Sequence, residues 1–108
     1  MADFKIKRGD YFELLVVVSV DGALVDLTGW TARSQARSST DALVYEFPVA
    51  IPDPTNSTVY LTADQAITEG WAVGVIFCDV EVIDPDGRKT SSETFTIEVE
   101  KDITKNAP

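Results

Sequence analysis

The chain contains no histidine, a single cysteine, and nine basic residues against eighteen acidic ones. Each shortage excludes something. Without histidine there is no side chain that ordinarily serves as a general base near neutral pH, and the commonest zinc ligand is missing. One cysteine cannot form an internal disulfide, so nothing marks an oxidising compartment. Cys78, on the core side of an apolar strand, reads as inert packing and not as a nucleophile. Serines and threonines are plentiful, yet no partner base accompanies them, and there is no glycine-rich phosphate loop. No catalytic, cofactor-binding or metal-ligating residue is therefore assigned, and the chain is expected not to be an enzyme.

The charge balance narrows the partners. A net charge of −9 argues against nucleic acid, whose phosphates call for a surplus of Lys and Arg. It argues equally against an anionic membrane surface. Either the charge serves solubility alone or it selects a basic partner. No apolar run approaches the ~18 residues of a membrane span. The opening Met1-Ala2-Asp3-Phe4-Lys5-Ile6-Lys7-Arg8 lacks the apolar region of a signal peptide, so folding in a cytoplasm is expected.

What is present is β-strand patterning. At 108 residues, 44% apolar and 25% charged, the chain is expected to form one domain over residues 1–108, with 102–108 a frayed tail. A domain of this size buries roughly 65% of its unfolded surface. In the segment Trp30–Arg37, Trp30, Ala32, Ser34 and Ala36 alternate with Thr31, Arg33, Gln35 and Arg37. A period of two marks a half-buried strand. Further strands are expected at 4–7, 11–20, 43–51, 58–61, 71–83 and 88–100. Pro48 inside one of them demands an edge or a bulge. Asp21-Gly22 and Asp84-Pro85-Asp86-Gly87 are turn signals, and residues 62–66 form a helical turn with Thr62 as N-cap. About seven strands with regular turns predict an all-β, antiparallel, immunoglobulin-like β-sandwich.

Two of these strands are apolar on both faces. If Asp79 and Glu81 face water, then Trp71, Val73, Val75 and Phe77 share their side of the sheet. Placing Phe12, Leu14, Val16 and Val18 inside leaves Leu15 and Val17 outside. A free sandwich should be polar there. Either the N-terminal segment or the 62–70 turn covers these six positions, or another molecule does; Leu15, Val17, Trp71, Val73, Val75 and Phe77 are the candidate interface.

Other motifs carry less. Asp84 and Asp86 fall far short of the six or more oxygens calcium takes. Arg8-Gly9-Asp10 and Asn56-Ser57-Thr58 match short adhesion and glycosylation patterns but read as loop chemistry. Arg33, Gln35 and Arg37 read as a solvated face or as cross-strand partners for glutamates.

The frame Ile6-Lys7-Arg8-Gly9-Asp10-Tyr11-Phe12, followed by residues 25–37, Asp86-Gly87, and Phe95-Thr96-Ile97-Glu98-Val99 before Asp102-Ile103-Thr104, resembles small immunoglobulin-like structural proteins of tailed bacteriophages and prophages. Those are similar to the N-terminal domain of phage baseplate upper proteins. The resemblance implies a virion component made in the host cytoplasm: an adaptor or decoration subunit at the head–tail junction, tail, baseplate or fibre. Its partners would be other virion proteins and copies of itself, and it would need no cofactor. The alternative is a carbohydrate- or host-receptor-binding module of the particle, which predicts Trp30 or Tyr45 exposed on a shallow platform.

Overall fold

A computed structural model describes residues 2–104. The rest of the expected tail, residues 105–108, lies outside the described residues. Eleven short strands form an all-β sandwich. They are β1 (Phe4–Lys7), β2 (Phe12–Val17), β3 (Ser19–Val20), β4 (Ala23–Leu24), β5 (Thr31–Arg37), β6 (Leu43–Phe47), β7 (Val49–Asp53), β8 (Thr58–Ala63), β9 (Gly74–Ile83), β10 (Lys89–Ser91) and β11 (Phe95–Glu100). Among the described residues, a 3-10 turn spans Pro54–Asn56 and one α-helix, α1 (Gln65–Glu69), precedes β9.

The large sheet runs β1-β11-β9-β5-β6, with β10 also on β9, and the small sheet runs β2-β8-β7. Strand β9 is central because its apolar residues alternate over ten positions: Ile76, Cys78, Val80 and Val82 are buried, and Asp79 and Glu81 are not. Across it lie Ala36 opposite Cys78, Ser34 opposite Val80, and Ala32 opposite Val82. Small residues on β5 leave room for the side chains of the facing sheet. The small sheet contributes Phe12, Val59, Leu61 and Ala63 to the shared core. Burying one such aliphatic side chain contributes about 1.5–3 kcal/mol.

Several expectations are corrected in detail. The strand expected at 43–51 is two strands. Pro48 cannot donate to a ladder, and at Pro48 the chain leaves the edge of the large sheet as β6 and joins the edge of the small sheet as β7. The strand expected at 88–100 is also two. Between β10 and β11, Ser92 donates its amide to Val80 O at 2.8 Å and accepts the Val80 amide on Oγ at 2.9 Å. The 11–20 strand breaks at Val18, whose side chain is buried and whose amide goes to Ser57 O at 2.8 Å. The helix is capped by Asp64, whose carboxylate accepts the Ile67 amide, and not by Thr62, which belongs to β8. One pairing, β1 with β11, is parallel, whereas all other ladders are antiparallel.

The Asp21-Gly22 turn joins β3 to β4 with both residues at positive φ, +53° and +80°. That geometry matches the strand twist of a two-residue hairpin and is strained for most residues other than Asn, Asp and Gly.

Candidate functional site

The structure separates the six candidate interface residues. Leu15 and Val17 lie on β2 in the small sheet, and Val75 and Phe77 lie on β9 in the large one. Each pair points away from the core between the sheets, so they occupy opposite outer faces. All four are exposed, Leu15 and Val17 at 60% each. Val73, just before β9, is exposed as well. Neither the N-terminal segment, which forms the β1 edge of the large sheet, nor the 62–70 turn covers them.

Trp71 does not belong to either face. It is 3% exposed and its ring packs against Phe12, Phe47 and Tyr45, with centroid distances of 6.1 to 6.3 Å. The expectation failed because it extended strand parity back through Gly74. Strand β9 begins only at that glycine, which sits at φ +141°. Trp71 belongs to the end of α1, where its amide donates to Thr68 O.

The outer face of the large sheet mixes charge of both signs with its apolar residues. Phe77 sits between Thr96 and Arg37, and Val75 faces Glu98. Leu43, also exposed, is registered with Arg37 at the β6 edge. By the same parity, the face carries five cations (Lys5, Lys7, Arg33, Arg37, Lys89) and five acids (Glu46, Asp79, Glu81, Glu98, Glu100). Arg33 and Glu46 are 3.5 Å apart, and Lys89 and Glu81 are 3.6 Å apart. Gln35 donates to Glu46 at 2.9 Å. Arg33 and Gln35 thus serve as cross-strand partners of a glutamate, as their alternation predicts; Arg37 donates to Asp41 O and Gln35 Oε1. A shallow depression of about 290 Å³ lies among Arg33, Gln35, Arg37, Asp79 and Glu81. Burial, then the neighbouring Glu81 charge, holds the Asp79 carboxyl above its ordinary range.

The outer face of the small sheet differs in kind. Leu15 is opposite Tyr60, which is opposite Ala50. Tyr60 donates its hydroxyl to Glu13, and this hydrogen bond raises the phenol above its usual range. Along the seam between β1 and β2, a groove of about 480 Å³ has Lys5 and Lys7 on one wall and Asp10, Tyr11 and Glu13 on the other.

The remaining motifs are structural. Arg8-Gly9-Asp10 is a turn clasped by the buried Thr68, whose hydroxyl accepts the Gly9 amide at 3.1 Å and donates to Asp10 O at 2.7 Å. Asp84 caps its own turn. It accepts the amides of Arg88 and Asp86 and the Arg88 guanidinium, and these hydrogen bonds hold its carboxyl below the ordinary range. Ser57, in the Asn56-Ser57-Thr58 motif, is buried and donates to Val18 O. Trp30 and Tyr45 are half-buried against the core and form no exposed platform. Cys78 is buried, and burial, then Asp79, pushes its thiol up to about 12.

No family model and no curated protein matches the chain. Among solved structures, it is similar to CopC from Methylosinus trichosporium OB3b, with a TM-score of 0.56 and 16% identity, covering 98% of this chain and 91% of that one. At that identity the likeness is one of fold. It overturns the virion role expected from the sequence, both as adaptor or decoration subunit and as receptor-binding module of a particle. A solved structure that matches over nearly its whole length is that of a copper-binding protein, and one fold hosts unrelated functions, so strand frames of this kind assign no particle. Copper itself favours imidazole, thiolate and thioether donors. This chain has no histidine, its one cysteine is buried, and no group of three His, Cys, Asp or Glu side chains comes together among the described residues. The residues present do not fit copper.

Proposed function

We propose that this chain is a non-catalytic association module that pairs with a second copy of itself through the outer face of the large sheet. The observation that carries this reading is that Val75, Phe77 and Leu43 stand exposed on this face, interleaved with cations and acids in equal number. A solvated sheet face ordinarily alternates to polar residues, and large apolar side chains exposed on it are surface that association would bury. An isologous interface places each patch against itself. A face bearing both signs can satisfy that arrangement, because the cations of one copy can meet the acids of the other; a face of one sign cannot.

Light scattering over a concentration series tests the reading. The expected result is a mass that rises toward twice that of the chain as concentration increases. The double variant Val75→Ser/Phe77→Ser should remain a monomer throughout while keeping its β circular dichroism. A wild-type protein that stays monomeric at the highest concentration overturns the proposal, as does a dimer that the double variant leaves intact.

A further inference from the structure

Between residues 9 and 32, and again between 38 and 87, the sequence contains no lysine or arginine. All three strands of the small sheet, the β3–β4 hairpin and α1 come from these two stretches. The fold therefore sorts charge by sheet. The small sheet and its connections carry seven acids, Asp10, Glu13, Asp21, Asp26, Asp53, Asp64 and Glu69, against one base, Arg8. Several of these carboxylates are engaged in local hydrogen bonds. Asp26 accepts both the amide and the hydroxyl of Thr28, at 2.9 and 2.6 Å, and Asp64 caps α1. Arg8, at the turn into β2, donates to the Glu69 backbone carbonyl.

On the outer face of the small sheet, Leu15 and Val17 stand exposed on β2, with Tyr11 exposed at its start and Tyr60 and Ala50 across the ladder. The charged residues on the three strands of this sheet are both acids, Glu13 and Asp53, and the cations Lys5 and Lys7 stand across the groove on β1. A second copy set on the small sheet would oppose acid to acid, which costs affinity at an interface. We infer that the outer face of the small sheet docks a different polypeptide, one that presents lysines or arginines around an apolar centre. This inference rests on the reading of the chain as an association module and adds a second face with a different occupant. The two faces point in opposite directions, so self-pairing through the large sheet leaves the small sheet free to take its partner.

The probe is a synthetic twelve-residue peptide of alternating lysine and leucine, titrated by calorimetry into the full chain, with an alternating glutamate–leucine peptide as comparison. The basic peptide should bind and the acidic one should not. Raising the salt from 50 to 500 mM should weaken binding by about tenfold or more, as a charge-matched interface requires. Leu15→Ser/Val17→Ser should weaken it by about tenfold, equivalent to 1.4 kcal/mol. Glu13→Gln leaves the apolar surface untouched and should weaken binding several-fold. Val75→Ser/Phe77→Ser should leave peptide binding unchanged. Equal losses from the two faces, equal binding of the two peptides, or no binding of the basic peptide overturns the inference. The Leu15/Val17 variant should still show the wild-type concentration dependence of mass, so failure at the small sheet is distinguishable from failure of self-pairing.

Discussion

Ser92 Oγ accepts the Val80 amide at 2.9 Å while the Ser92 amide donates to the Val80 carbonyl at 2.8 Å. One residue in the gap between β10 and β11 thereby closes the ladder on the central strand at its most buried stretch. Val80 itself is fully buried, so its amide has no water to turn to. An orphaned buried donor carries its full desolvation cost, about 1–3 kcal/mol. Ser92→Ala is expected to lower stability by about that amount in urea denaturation, and Ser92→Thr, which retains the hydroxyl, to lower it by less. A loss as large for threonine as for alanine would mean that the hydroxyl is not what secures Val80.

Asp79 makes stability depend on pH in a direction opposite to that of Asp84. Burial and the Glu81 charge raise the folded-state pKa of Asp79 above its unfolded value of about 3.9. Between those two values the folded chain holds a proton that the unfolded chain has released. Stability from this group therefore falls as pH rises through the interval and stays lower above it. Asp79→Asn should raise the melting temperature at pH 7, with the gain fading as pH drops to about 3. Thermal melts of the two proteins at both pH values check this; an equal shift at each pH would show that the carboxylate charge plays no part. Asp84, whose folded pKa is lowered by the Arg88 and Asp86 amides and the Arg88 guanidinium, contributes in the other sense. Its stabilisation is present above the unfolded value and is lost as pH falls through the folded one.

The sequence makes inside and outside legible wherever a strand keeps its period. Ala32, Ser34 and Ala36 face inward, and Phe95, Ile97 and Val99 do the same on β11, because two-residue alternation encodes the side of the sheet directly. Alternation does not encode which sheet a strand joins. Leu15 and Val75 read alike, as apolar residues on the wrong side, yet they stand on opposite faces of the molecule. Pro48 announces an interruption but not that the chain changes sheets there. The Ser92 break carries neither glycine nor proline, so residues 88–100 read as one strand. The two long stretches free of Lys and Arg acquire a spatial meaning only once all three strands of the small sheet are seen to come from them, although β6 and β9 of the large sheet do as well.

Trp71 separates core from interface in a single substitution. It lies buried among Phe12, Tyr45 and Phe47, where its edge-to-face contacts with Phe12 and Phe47 tie the small-sheet strand β2 to the large-sheet edge β6. Aromatic pairs of this kind contribute beyond the area they bury. Trp71→Ala removes the largest side chain of that cluster and leaves a cavity that neighbouring rings cannot fully close, at a cost of about 3–5 kcal/mol. A domain of this length has about 5–15 kcal/mol of stability in all, so the variant should melt far earlier and unfold at much lower urea concentration. Trp71→Phe, which keeps a ring in the site, should lose less. At temperatures where Trp71→Ala remains folded, its mass in solution should follow the wild-type concentration dependence, because the side chain reaches neither outer face. A variant that kept its stability and lost its association instead would place Trp71 at the surface, against the packing described above.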